Sequence, residues 1–91
     1  MDYEFDPQKS AENLLNHEGV SFEEAFPVLL DPYSLTKQDS DSNGEQRMVT
    51  LGMGRKNRLL IVVWTMRGEM PRIISAWKAN QPQRKRYENQ F

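Results

Sequence analysis

Leu59-Leu60-Ile61-Val62-Val63-Trp64-Thr65-Met66 is the stretch on which the fold turns. It is nearly continuous in apolar, β-branched and aromatic side chains. It suits a strand covered on both faces and is far too short to cross a bilayer as a helix. Such a strand is central, so its sequence neighbours must supply the flanking ones. Upstream, Arg47 to Met53 alternates Met48, Thr50 and Gly52 against Val49, Leu51 and Met53, the period of a second strand. Arg55-Lys56-Asn57-Arg58 forms a cationic hairpin turn between the two. Downstream, Arg67 to Pro71 turns the chain and Arg72 to Trp77 makes another strand. Alternation along it places Arg72, Ile74 and Ala76 on one face and Ile73, Ser75 and Trp77 on the other.

Outside this block the signals are those of helices. Tyr3-Glu4-Phe5 reads as a short edge strand, and Asp6-Pro7 as an N-cap followed by proline at the first helical position. The helix runs over about 7–18, with Ala11, Leu14 and Leu15 as an apolar row, and Gly19 ends it. Ser21 and Glu24 form a capping box, in which the serine oxygen serves the Glu24 amide and the carboxylate returns to the serine amide. A second helix over about 22–30 is short or bent, because Pro27 removes a backbone bond. Tyr33 to Lys37 is a strand, and Gln38 to Gln46, with no apolar residue, is an exposed loop. Asn80 and Gln83 resemble another capping box, opening a last helix over about 81–89. The order β-α-α-β-β-β-β-α predicts an α+β domain over 1–91: a small antiparallel sheet with helices mainly on one face.

Composition narrows the function. With 91 residues and 37% hydrophobic side chains, one thin core is available and a bound partner can contribute heavily to stability. The absence of cysteine removes disulfides, thiolate metal sites and thiol nucleophiles. The opening residues lack a basic segment followed by an apolar one, so no secretory signal is expected and the reading is a cytoplasmic protein without membrane contact. Neither a cofactor nor a metal is expected. Asp39-Asp41-Asn43-Glu45 has a superficial likeness to calcium-loop spacing but lacks the twelve-residue pattern. The net charge of −1 hides a division: residues 1–46 hold 11 acids and 2 bases, residues 47–91 hold 10 bases and 2 acids. Either the fold presents a basic surface for phosphates and an acidic one for a basic partner, or the halves neutralise each other.

An ordered set of residues then resembles a known family. The set is Phe5-Asp6, Lys9, Asn13, His17, Gly19 to Ala25, Asp31-Pro32, Glu45 with Arg47, Gly52, Thr65 with Arg67, Arg72 to Ala76, Lys78-Ala79 and Tyr87-Glu88. It resembles the BrnT family, toxins of bacterial type II toxin–antitoxin pairs, over about residues 3–88. The resemblance implies a RelE-like fold, metal-independent RNA cleavage, and a cognate BrnA-like antitoxin that carries the DNA-binding domain. DNA contact is then only indirect, and the expected assembly is a hetero-oligomer with the antitoxin. Two positions depart from the family. Trp77 stands where arginine is usual after Ile-Ile-Ser-Ala, and Gln83 where glutamate is usual. The first loses a cation and its fork of donors, though an indole can stack on a base. The alternative reading is therefore a catalytically weakened member that mainly binds antitoxin or RNA.

Metal-free cleavage uses the RNA 2′-hydroxyl as nucleophile, so the protein must align it, move protons and stabilise charge on phosphorus. Arg72, Lys78 and Arg67 are candidates for charge stabilisation, with Arg47, Arg55, Lys56, Arg58 and Arg84 as further RNA contacts and Trp77 as a stacking surface. His17, the one histidine, is either a general acid or base or a helix-end residue. Tyr87 matches the C-terminal aromatic of RelE-like enzymes or packs the last helix on the sheet. Glu45 and Arg47 orient each other or form a weak surface pair. Arg84-Lys85-Arg86 fans round its helix instead of forming one face.

Overall fold

A computed structural model describes residues 2–39 and 46–91. The strand over 59–66 is indeed central. Five strands, β1 (Glu4–Phe5), β2 (Leu35–Asp39), β3 (Arg47–Met53), β4 (Leu59–Arg67) and β5 (Met70–Lys78), form one sheet in the order β1-β5-β4-β3-β2. Strands β2 to β5 form the expected antiparallel meander, whereas β1 pairs parallel to β5, with Glu4 opposite Arg72 and Phe5 opposite Ile73. The sheet is thus mixed. A parallel neighbour requires a crossover, which the antiparallel expectation lacked; α1 and the elements after it lie between β1 and the meander.

The continuous apolar pattern of β4 follows from cover on both sides. Leu60 and Val62 pack with Val20, Phe22, Ala25, Phe26, Val28, Ile73 and Ala76 beneath the first helices. Leu59 and Ile61 point the other way and pack with Leu51, Ala79 and Tyr87. Each fully buried aliphatic side chain of this kind contributes about 1.5–3 kcal/mol, so β4 anchors both layers. The helices lie mainly on the first face: α1 (Pro7–Asn16), α2 (Phe22–Ala25) and a 3-10 helix (Phe26–Leu30). The exception is α3 (Gln81–Glu88), whose Tyr87 covers the second face. The predicted second helix divides into α2 and the 3-10 helix close to Pro27, where the proline ends the α-helical hydrogen-bond pattern.

Three polar junctions attach the helical layer. Asn13, 4% exposed, donates to the carbonyls of Val20 and Ala76 at 2.8 Å each and accepts from the Ala76 amide at 3.0 Å. This amide docks α1, while Ala11, Leu14 and Leu15 of the predicted apolar row are exposed. The serine half of the first capping box is present, Ser21 Oγ accepting from the Glu24 amide at 2.9 Å. The other half is replaced: Glu24, 2% exposed, forms a two-pronged pair with the Arg58 guanidinium. Asp31 accepts from the Met53 amide at 2.9 Å and from the Tyr87 hydroxyl at 2.6 Å, joining the 3-10 helix, β3 and α3. A Cβ on Gly52 would stand 3.2 Å from Asp31 Oδ2 and 3.1 Å from Val28, so glycine admits this approach.

Boundaries shift elsewhere by a few residues. Helix α1 stops at Asn16, and Glu18 and Gly19 take left-handed backbone angles (φ 54° and 76°) before the chain reaches Val20. Strand β2 begins two residues later than expected and takes in Gln38 and Asp39, part of the anticipated loop. The remainder of that loop, 40–45, with the Asp41 and Asn43 spacing and Glu45, lies outside the described residues. The second capping box is complete, with Asn80 and Gln83 each capping the other's amide.

Candidate functional site

Strand register decides which cations share a surface. Opposite the helical layer, Thr65 pairs with Arg72, Val63 with Ser75 and Val49, and Ile61 with Trp77 and Leu51, while Asp39 pairs with Arg47 and Lys37 with Val49. Alternation along these strands puts Arg47, Arg67, Arg72, Ser75, Trp77 and Lys37 on one face. Alternation within β5 alone fails, because the register slips between Val63 and Trp64, which pair with Ser75 and Ile73. Ile74 is the extra residue of a bulge. The slip puts Ile73 and Ala76 together in the helix-side core and leaves Arg72, Ser75 and Trp77 on the open face.

On that face a groove of about 660 Å³ runs between β2 and α3. Its floor is Val49, Leu51, Ile61, Val63 and Trp77, and its rims carry Lys37, Gln83 and Arg86. Lys37 is not among the sequence candidates, and Arg86 is there only as part of the Arg84-Lys85-Arg86 cluster. The fanning of Arg84-Lys85-Arg86 explains the second: Arg86 meets the groove, whereas Arg84 Nη1 donates to the Ala79 carbonyl at 3.1 Å. Nε of Arg47 is buried with no hydrogen-bond partner among the described residues. Arg72 faces Glu4 at 4.0 Å, a weak contact across the β1–β5 edge.

Trp77 has a second neighbour. Its ring lies 5.7 Å from that of His17, tilted by 41°. Together with Asn16, Glu18 and Lys78 the two rings line a cavity of about 420 Å³, and Lys78 Nζ pairs with Glu18 at 3.2 Å. Three sequence candidates, His17, Trp77 and Lys78, thus meet at the end of β5, with Trp77 common to cavity and groove. Four more are drawn away. Arg58 is engaged by buried Glu24, and the turn carrying Arg55 and Lys56 is tied to α2 by the Arg55 amide and the Glu24 carbonyl at 3.0 Å, on the helical side. Tyr87 is 6% exposed with its hydroxyl on Asp31. Burial, reinforced by that carboxylate, pushes its pKa up to about 12, the setting of a packing and docking residue. Burial works against the charge of Asp31, but hydrogen bonds from Tyr87, Met53 and Tyr33 outweigh it and lower its pKa. Among the described residues, no three His, Asp or Glu side chains gather as a metal site, and no helix is long and apolar enough to cross a membrane.

A small α+β domain whose mixed sheet carries α1, α2 and the 3-10 helix on one face, with α3 over part of the other, has a RelE-like architecture. The family model for the ribonuclease toxin BrnT of type II toxin–antitoxin systems matches residues 5–82, and the chain belongs to that family. Its fold is similar to the 1.1 Å crystal structure of the Brucella abortus ribonuclease toxin BrnT, with a TM-score of 0.66 and 22% identity over 89% of this chain and 99% of that one. No curated protein matched.

Proposed function

We propose that this toxin cleaves RNA without a metal ion, in the cytoplasm, by aligning the substrate's 2′-hydroxyl for attack on the adjacent phosphate. The observation that carries the reading is the register-imposed gathering of Arg47, Arg67 and Arg72 on the one sheet face that α1 and α2 leave uncovered. Guanidinium groups there can grip phosphate oxygens in pairs and stabilise the charge that builds on them in the transition state. Lys78 and His17 lie at the far end of β5, six residues on from Arg72, where they can hold a more distant part of the bound strand, and Trp77 beside them offers an indole for a base. Arg58, Arg84 and Tyr87 are left out, since each is engaged in holding the fold.

A BrnA-like antitoxin holds the toxin inactive in a hetero-oligomer and supplies the DNA-binding domain, so that the toxin meets DNA only through its partner. The test is cleavage of single-stranded RNA in excess EDTA by the wild type and by Arg72→Ala. The expected result is cleavage by the wild type and a rate at least 100-fold lower for the variant, in line with loss of a transition-state donor. Intact RNA with the wild type, or equal rates, would remove the proposal.

A further inference from the structure

The helix that docks through a single asparagine leaves its apolar row outside. Leu15 is 86% exposed, Leu14 is 45% exposed, and Ala11 on the same stripe is exposed as well. Side chains at i, i+3 and i+4 share one side of a helix, and such a row ordinarily faces a core. Here the buried position is Asn13, whose amide is spent on Val20 and Ala76, so the chain has no internal surface for the leucines. A solvated leucine pair on a short helix fits a surface that a partner covers.

The charge around the stripe says which partner. Residues 2–18, which span β1, α1 and the turn that follows, hold five acids, Asp2, Glu4, Asp6, Glu12 and Glu18, against Lys9. Arg72 and Lys78 pair with Glu4 and Glu18, and the others leave this segment negative, while the cations of the 55–58 turn are held at the α2 end of the layer against Glu24. A phosphate backbone is repelled by such a surface, which excludes RNA. A second copy of this chain, meeting it across a two-fold axis, would set acids against acids. A protein segment with apolar residues and flanking lysines or arginines satisfies both features. We infer that the antitoxin docks a basic, amphipathic segment on the Ala11–Leu14–Leu15 stripe of α1. This rests on the antitoxin partnership proposed above but not on the assignment of the cleavage site.

The position also suggests how binding would silence the toxin. Helix α1 ends at Asn16, and Asn16, His17 and Glu18 line the cavity that Trp77 and Lys78 complete. A segment lying along α1 toward its C-terminus covers that cavity while leaving the fold untouched.

The experiment measures binding of a purified cognate antitoxin to the wild type, Leu15→Glu and Leu15→Ser, with RNA cleavage measured in parallel. Leu15 contributes little to the folded core, so both variants should fold. The expected result is a dissociation constant at least 30-fold weaker for Leu15→Glu and about tenfold weaker for Leu15→Ser, with RNA cleavage by both variants unchanged. Cells making Leu15→Glu should escape rescue by the antitoxin. Affinities within threefold of the wild type would overturn the surface, whether or not RNA is cleaved. So would a wild-type homodimer that Leu15→Glu dissolves, because the stripe would then serve self-association. No binding by the wild type would overturn the partner and the surface together.

Discussion

The two faces of the sheet are held to different standards of completion. On the helical face the buried polar side chains of the described residues have partners: Asn13 meets Val20 and Ala76, Glu24 meets Arg58, and Thr50 meets Thr36 and Trp64. On the open face Arg47 Nε is buried without one among the described residues, Arg72 reaches Glu4 only at 4.0 Å, and apolar strand residues line a groove. Satisfied polar groups rigidify a fold, whereas cations with spare donors can exchange water for a ligand at little cost. The difference teaches that changes on the first face should appear as lost stability and changes on the second as lost activity.

The largest stability effect belongs to the Glu24–Arg58 pair. Arg58→Met would leave the Glu24 carboxylate buried without its counter-ion, at about 3–5 kcal/mol. Chemical denaturation should register it, and the double variant Arg58→Met with Glu24→Gln should recover part of the loss, because a neutral amide tolerates burial better than an unpaired charge. A single-variant loss below about 1 kcal/mol would mean that solvent around the half-exposed arginine already screens the pair.

Asn13→Ala comes next. It deprives two carbonyls and one amide of their partner at once, and the expected cost is about 3 kcal/mol. For a domain of this size each kilocalorie moves the melting temperature by about 4–8 °C, so thermal unfolding gives a clear reading. The same position shows where sequence reasoning stopped. β4 was legible because a strand buried on both faces writes its burial into every residue, and the caps at Asp6, Ser21 and Asn80 were legible because their partners lie two or three residues away. Leu14 and Leu15 misled because a periodic row records hydrophobicity but not which side meets the sheet. What fixes that side is one asparagine amide reaching a strand 63 residues away.

The candidate site was legible in kind and not in arrangement. A basic C-terminal half pointed to phosphate, yet only strand register could separate Arg47, Arg67 and Arg72 from Arg58, which looks identical in sequence. The bulge at Ile74 changed which residues of β5 share a face, and no local rule announces it. The His17–Trp77 contact joins a helix end to the last strand and follows from topology alone.

Tyr87→Phe should have a smaller effect, about 1–2 kcal/mol for a lost hydrogen bond to a carboxylate, with a pH signature. The folded-state pKa of Tyr87 is raised to about 12, above the value of about 10 for an unfolded tyrosine. Its contribution is fully present below the unfolded pKa and declines as pH rises through the interval up to the folded one. Asp31 has the opposite sign: its lowered pKa stabilises the fold above the unfolded carboxyl value, and the contribution fades as pH falls through the folded one. Stability measured against pH should therefore lose part of its alkaline decline in Tyr87→Phe, and part of its acid sensitivity because Asp31 loses a donor. An unchanged profile at both ends would show that the Tyr87–Asp31 bond does not couple to folding.

The smallest stability effect, and the sharpest contrast, is expected at Arg47. Removing one side of a satisfied pair orphans the other, but Arg47 Nε has no partner to orphan among the described residues. Arg47→Met keeps the aliphatic packing and removes a buried unpaired donor, so stability should stay within about 0.5 kcal/mol of the wild type or rise slightly. RNA binding should respond differently. If the guanidinium meets one phosphate, the slope of log affinity against log salt should fall by about 0.7 for a single-stranded ligand. Weakening should be similar across sequences, since a phosphate contact carries no base information. A variant that unfolds easily yet keeps the wild-type salt slope would place Arg47 with Asn13 and Glu24 among the residues that hold the fold. The division between a completed face and an open one would then fail at the residue that best defines it.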